Sequence, residues 1–309
     1  MKITIFGSGG LGGYYGARFV QSGHDVSFIA RGEHLDALQK DGLRVYSPQG
    51  DLHLPAVKAT DDPSTLGTQD VVIVSVKTSQ LPDAALAMAP LVDDNSLVVP
   101  FLNGVEAPDV LADVLGSQSV VGGLSRIFSK IEAPGVVRHF NDSAYVEFGE
   151  LDGRKGSARC QQLLQAFREA GVEAELSENI RLNLWRKLIL VSAWGGLGAL
   201  CRSSMGELRK HPETRQLISS CATEAIAVAN AEGFIFPDSL LDSHWRFYDD
   251  LPDGATTSLS RDLLANKPSE LEAWHGVIVR LADQHGIEVP TQRFVYHALL
   301  PSERRLAAD

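Results

Sequence analysis

The run Lys2-Ile3-Thr4-Ile5-Phe6-Gly7-Ser8-Gly9-Gly10-Leu11-Gly12-Gly13 carries the first decision about the fold. Five β-prone residues meet glycines at 7, 9 and 12, and Tyr14 to Gln21 continue with helical spacing and close at Gly23. That reads as strand, tight turn and helix. In such a unit the first glycine makes the turn and the second lets a pyrophosphate approach the backbone. The third lets helix and strand pack closely, so that the helix N-terminus faces the phosphates. Gly7, Ser8, Gly9, Gly10, Leu11 and Gly12 are therefore the expected phosphate cradle. Glycine spacing alone is a weak signal. Its place after a strand, at the start of a helix and ahead of a second strand, Asp25 to Ala30, favours a dinucleotide site over an ordinary α/β turn.

The end of that second strand bears on which dinucleotide. An NAD site expects an acidic residue about 20 positions past the glycines, bonded to the ribose 2′-hydroxyl. Here the strand ends Phe28-Ile29-Ala30-Arg31, without an acid at its tip. A guanidinium forks a phosphate and stacks on an adenine face, so Arg31 favours NADP over NAD. With Glu33 close by, a solvated loop arginine is the competing reading.

The chain has 309 residues, 44% of them hydrophobic, enough for two cores. A net charge of -11 without a Lys/Arg run argues against nucleic acid or an anionic membrane as partner. An anionic ligand must then be held by locally placed basic groups. Cys160, Cys201 and Cys221 lack metal or redox spacing and read as reduced, small buried residues, with no metal site expected. The N-terminus enters a strand directly, with no apolar leader, so a cytoplasmic protein is expected. The longest apolar run, Leu188 to Cys201, contains Gly195, Gly196 and Gly198 and is too short for a span, so it reads as a helix buried in protein.

After the second strand, Gly32 to Lys40 reads as a short helix and Leu43 to Val57 as a hairpin-like excursion. Asp70 to Lys77 is a continuous apolar strand of the kind buried on both faces of a parallel sheet, and Ser96 to Leu102 is another, running into Asn103-Gly104. Ligands of a doubly wound sheet sit off the carboxyl ends of its strands, where Lys77 and Asn103 both fall. A helix over 106–115 and a strand over 119–123 follow. Residues 136–140 and 145–148 read as an antiparallel pair around Asn141-Asp142, then a helix over 157–170 and a last strand over 172–176. From Glu178 onward only helical patterns remain, over 179–200, 213–232, 237–248, 256–265 and 268–285, with Ser302 to Asp309 frayed. The expected architecture is an α/β Rossmann-type doubly wound domain over 1–177 and an all-helical domain over 178–309, with the site in the cleft between them.

The helical half opens Asn179-Ile180-Arg181-Leu182-Asn183-Leu184-Trp185-Arg186-Lys187-Leu188. Asn183, Lys187, Val191 and Gly195 recur every fourth residue and share one face. A lysine with a buried stem in a closed cleft can serve as proton donor. From spacing alone a surface lysine with its stem laid along apolar neighbours is the commoner reading.

Taken in order, the glycine-rich start, Val-Ser-Val-Lys77, Leu-Asn103-Gly, the Trp-Arg-Lys187 block, Gly-Glu-Leu-Arg at 206–209, Thr-Ser258-x-x-x-Asp262 and Ser-Glu270-Leu-Glu resemble the ketopantoate reductases. These are the NADPH-dependent 2-dehydropantoate 2-reductase family of pantothenate biosynthesis, and the resemblance covers nearly the whole chain. It implies that Lys187 is the general acid, that Glu270 partners it and contacts substrate or cofactor ribose, and that Asn103 lies between nicotinamide and substrate. It also implies that Ser258 contacts the substrate carboxylate and that Arg31 and Lys77 surround the adenosine phosphate. The implied reaction is NADPH-dependent reduction of a 2-oxo acid or related ketone. Its competitors are a β-hydroxyacid dehydrogenase or imine reductase activity, and a non-catalytic NADP-binding sensor, which would have no use for Lys187 and Glu270 together. A homodimer is compatible with the sequence.

One departure bears on substrate. The family pattern carries asparagines four and eight residues after the lysine, where this chain has Val191 and Gly195. Asn183, Val191, Gly195 and Ser258 are the expected substrate-lining residues. Loss of two amides predicts a preference for substrates with bulkier, apolar side chains.

Overall fold

The computed structural model describes every residue except Lys155 and Asp309, and its chain divides into two compact units. One comprises Met1–Leu102 and Glu106–Asn183; the other comprises Asn103–Val105 and the chain from Leu184 onward.

The first unit is built on a five-stranded parallel sheet in the order Lys58–Thr60, Asp25–Ile29, Lys2–Phe6, Val71–Val74, Leu97–Pro100. The first strand is central. The chain builds outward on one side of it, then crosses to the other, so the strand order reverses between Lys2–Phe6 and Val71–Val74. Both strands are buried on both faces: Ile3, Ile5, Val71 and Ile73 join one apolar cluster, while Phe6, Val72 and Val74 join the other. This is why the sequence shows unbroken apolar runs there. The turns that leave these two strands lie side by side at the reversal, where an open α/β sheet binds its ligand.

A parallel bridge from Val98 to Val120 leads on to a three-stranded sheet, in which Tyr145–Glu150 lies between antiparallel Val121–Arg126 and parallel Glu173–Leu176. The excursion after the second strand forms the expected hairpin, Leu43–Tyr46 against Leu52–Leu54. The expected pairing of 136–140 with 145–148 does not form. Val136–His139 instead pairs antiparallel with Ser129–Ala133 and parallel with Leu43–Tyr46. Alternation marks both segments as strands but does not name their partners. Packing does: Val137 lies so close to Gly13 that a β-carbon there would be 2.8 Å from its Cγ2, while Val146 and Phe148 join the main core.

The second unit is helical, with no strand among its described residues. It holds most of Ile180–Cys201, then Met205–Leu208, Pro212–Ala231, Leu240–Asp250, Ser258–Leu264, a π-turn over Glu272–Gly276 that runs into Val277–His285, and Pro290–Ala308. Ile180–Cys201 has the length and composition of a membrane span, longer than its apolar run suggests, but 67% of its most apolar window is buried inside the protein. Of the frayed end expected over Ser302 to Asp309, the last helix takes in Ser302 to Ala308, and Asp309 lies outside the described residues. The Glu303 carboxylate accepts the Ser269 backbone N–H at 2.9 Å and the Ser269 hydroxyl at 2.6 Å, which ties this turn down. Cys160 and Cys221 are buried as expected, whereas Cys201 is exposed.

Candidate active site

Gly7 leaves the first strand at φ +104°, a conformation that favours glycine, and a β-carbon there would lie 2.8 Å from Ser75 C and Val76 N. A β-carbon on Gly12 would overlap the Gly7 carbonyl and the Ser75 hydroxyl. The Ser75 hydroxyl donates to the Gly7 carbonyl at 2.7 Å, so the two adjacent strand ends are bonded at the turn. Gly10 has a reason the spacing rule does not supply: the backbone of Ser129–Lys130 crosses it, and a β-carbon would be 2.7 Å from Lys130 Cα. Gly9 differs, since a β-carbon there would meet no protein atom within 4 Å. Gly9 is also the N-cap of the helix Gly10–Gln21, which has no side-chain cap and no acidic residue in its first turn. Uncapped N–H groups at the positive end of a helix dipole, open on the glycine side, fit a pyrophosphate.

Arg31 is the extended residue before helix Gly32–Asp41 and is exposed, as is Lys77, two residues beyond the Gly7–Ser75 bond. Both cations thus leave strand ends that flank the glycine turn. Ser8 is bound more tightly than its place in a loop suggests. Its N–H and its hydroxyl both donate to the Ile29 carbonyl, at 3.1 and 2.9 Å, and its own carbonyl lies 2.8 Å from His34 Nε2.

In the second unit, Asn103 Nδ2 donates to Glu270 Oε2 at 2.7 Å, joining the loop after the fifth parallel strand to the start of the π-turn. Glu270 is buried. The approach requires Gly104, at φ +92°, whose β-carbon would lie 3.0 Å from the Ala273 carbonyl oxygen. Lys187 and Val191 are half-buried on the long helix, one turn apart. Gly195, one turn further, is buried under an aromatic ring: a β-carbon would be 2.7 Å from Trp274 Cζ3 and 3.1 Å from Thr257 Oγ1. Thr257 caps helix Ser258–Leu264, and the Ser260 hydroxyl donates to the Gly195 carbonyl at 2.7 Å. Ser258 is half-buried in the first turn of that helix.

Asn103, Glu270, Lys187, Val191, Gly195 and Ser258 all belong to the second unit; Asn103 is bonded to Glu270 there, and Gly195 lies against Trp274, a residue that the sequence reading omits. Asn183 is half-buried at the boundary of the two units. It belongs to the first unit, where its Nδ2 donates to Ser177 Oγ at 2.9 Å and to the Glu147 carboxylate. The long helix passes from one unit to the other at that residue, one turn before Lys187. No cluster of metal-binding side chains occurs among the described residues.

Two family models match, ketopantoate reductase PanE/ApbA over residues 3–153 and its C-terminal counterpart over 179–303. The chain belongs to the ketopantoate reductase family. It is 30% identical to the 2-dehydropantoate 2-reductase of Nostoc sp. over 302 residues, which are 96% of this chain and 94% of that one. The crystal structure of a PanE/ApbA family ketopantoate reductase from Ralstonia eutropha superposes with a TM-score of 0.91 at 32% identity, covering 99% of this chain and all of that one. A D-mandelate dehydrogenase structure with NADH and anilino(oxo)acetate superposes at 0.90 with 23% identity, over 99% of this chain and all of that one, a likeness of fold. As a ketopantoate reductase family member the chain is an oxidoreductase that works with a nicotinamide cofactor.

Proposed function

We propose that this protein reduces a 2-oxo acid with NADPH, and that Lys187 delivers the proton. The observation that carries the proposal is the grouping of Lys187, Glu270 and Asn103 in one helical unit, with Glu270 buried and held by Asn103 at 2.7 Å.

The bound nicotinamide supplies a hydride to the carbonyl carbon, and the rest is the work of this chain. As the carbonyl oxygen gains negative charge, the Lys187 ammonium stabilises it and transfers a proton, leaving a hydroxyl. A non-catalytic sensor would not need that charge at that position. Glu270 partners the ammonium, and Asn103 fixes the carboxylate by donating to one of its oxygens. Ser258 binds the substrate carboxylate. The Gly9-capped helix holds the pyrophosphate, with Gly7 to Gly12 as the cradle. Arg31, with Lys77, reads the 2′-phosphate. The same fold accommodates NADH in D-mandelate dehydrogenase, so the preference for NADPH rests on Arg31 and not on architecture.

An apolar wall faces the substrate side chain where the family pattern carries two asparagines. Val191 remains on it. Gly195 leaves no open space, because the Trp274 indole is seated over it. The pair replaces a polar amide with an aromatic ring, which favours a 2-oxo acid with an apolar side chain over ketopantoate. Following NADPH absorbance against a panel of 2-oxo acids, ketones and imines tests the proposal. Turnover confined to imines, or none with any acceptor, would contradict it.

A further inference from the structure

We propose that His34 is a positioning residue for NADP: it straps the glycine turn to the segment bearing Arg31 and so fixes the spacing between pyrophosphate and 2′-phosphate sites. This rests on the cofactor reading above and goes beyond it, since in that reading His34 binds neither phosphate itself and meets the cradle only at the Ser8 carbonyl.

The tautomer follows from the partners. Gly135 N–H donates to His34 Nδ1 at 3.1 Å, so Nδ1 must be unprotonated, and Nε2 then carries the hydrogen and donates to the Ser8 carbonyl at 2.8 Å. A doubly protonated ring would turn an N–H toward the Gly135 N–H. Burial keeps the ring on the neutral side, pushing its pKa below 6.5.

Three bonds then run from Ser8 to the segment 29–34: Ser8 N–H and hydroxyl to Ile29, and His34 to the Ser8 carbonyl. Arg31 lies between their two ends. Without His34 the Ile29 bonds still hold the strand tip, but helix Gly32–Asp41 loses its tie to the glycine turn. Arg31 is the residue just before that helix. Gly135 closes the strap from the other side, at the turn between Ser129–Ala133 and Val136–His139. A dinucleotide bound through both ends feels the spacing, whereas one lacking the 2′-phosphate feels only the glycine end.

The test measures dissociation constants for NADPH and NADH on the full chain, with kcat at saturating cofactor, for four variants. His34→Leu removes both bonds. His34→Asn keeps an acceptor near Nδ1 but cannot reach Ser8. His34→Gln can reach Ser8 with an N–H. Arg31→Ala reports the cofactor reading itself. Leu and Asn variants are expected to weaken NADPH about tenfold and NADH less than threefold, with kcat within twofold, while His34→Gln retains most of the NADPH affinity. If Leu fails to fold, Asn carries the same expectation. Equal loss for both cofactors, no loss, or no rescue by Gln overturns the strap. If Arg31→Ala is itself unselective, the cofactor reading has failed. If Arg31→Ala is selective and His34→Leu is not, the strap alone has failed.

Discussion

A β-carbon at Gly195 would lie 2.7 Å from Cζ3 of Trp274, so the smallest side chain on the long helix and the largest on the π-turn occupy one site as a pair. Trp274 is buried, and its backbone N–H donates to the Glu270 carbonyl at 3.1 Å, so the indole is anchored one turn from the proposed acid partner. Gly195 and Trp274 depend on each other sterically, and changing one alone is expected to be costly.

Gly195→Asn should therefore destabilise the protein by about 1–3 kcal/mol, the usual cost of overpacking a close-packed site. Combined with Trp274→Ala, which makes room, the loss should be smaller than the sum of the two single losses. Urea unfolding of the four chains measures this directly. Additive losses would separate the two residues and return Gly195 to the role of an open pocket wall.

Arg31→Ala should weaken NADPH by roughly 10- to 150-fold, the worth of a lost charge-assisted bond of about 1.5–3 kcal/mol. NADH, which lacks the 2′-phosphate, should change less than threefold. Equal weakening of both would make Arg31 a general contact or a bystander.

Two buried histidines of the helical unit predict how stability depends on pH. Burial lowers the pKa of His275 and of His244 from 6.5 to about 4 each, with the Arg186 charge adding to the effect at His244. The folded state thus binds fewer protons than the unfolded chain between these values. The contribution of these two rings to stability is full above about 6.5, falls as pH drops toward 4, and levels off below. Each ring accounts for roughly 3 kcal/mol of that loss. His275→Asn, which can still donate to Gln292, should make the fall in unfolding midpoint between pH 7 and pH 4.5 shallower. An unchanged slope would mean that His275 stays neutral in neither state or in both.

The parts of this structure legible in the sequence are those where a local rule has no alternative. Gly7 and Gly12 are forced by a turn and by the Ser75 hydroxyl, and Val71–Val74 is unbroken because both faces are covered. What stayed hidden depends on partners distant in the chain. His34 meets Gly135, Trp274 meets Gly195, and Val136–His139 pairs away from its neighbour in sequence. Periodicity says that each is buried or extended and cannot say against what. The π-turn adds a local reason, because it shifts the register of Glu272–Gly276 and buries Trp274 and His275 together, which a 3.6-residue pattern does not anticipate.

The most direct test of the account is the turnover of Lys187→Ala with NADPH and the best 2-oxo acid from the panel, set beside its NADPH dissociation constant. Loss of a general acid predicts a kcat lower by on the order of 10²–10⁴, with NADPH binding within about threefold of the native chain. Near-native turnover in that variant would contradict the account, because the proton would then come from elsewhere.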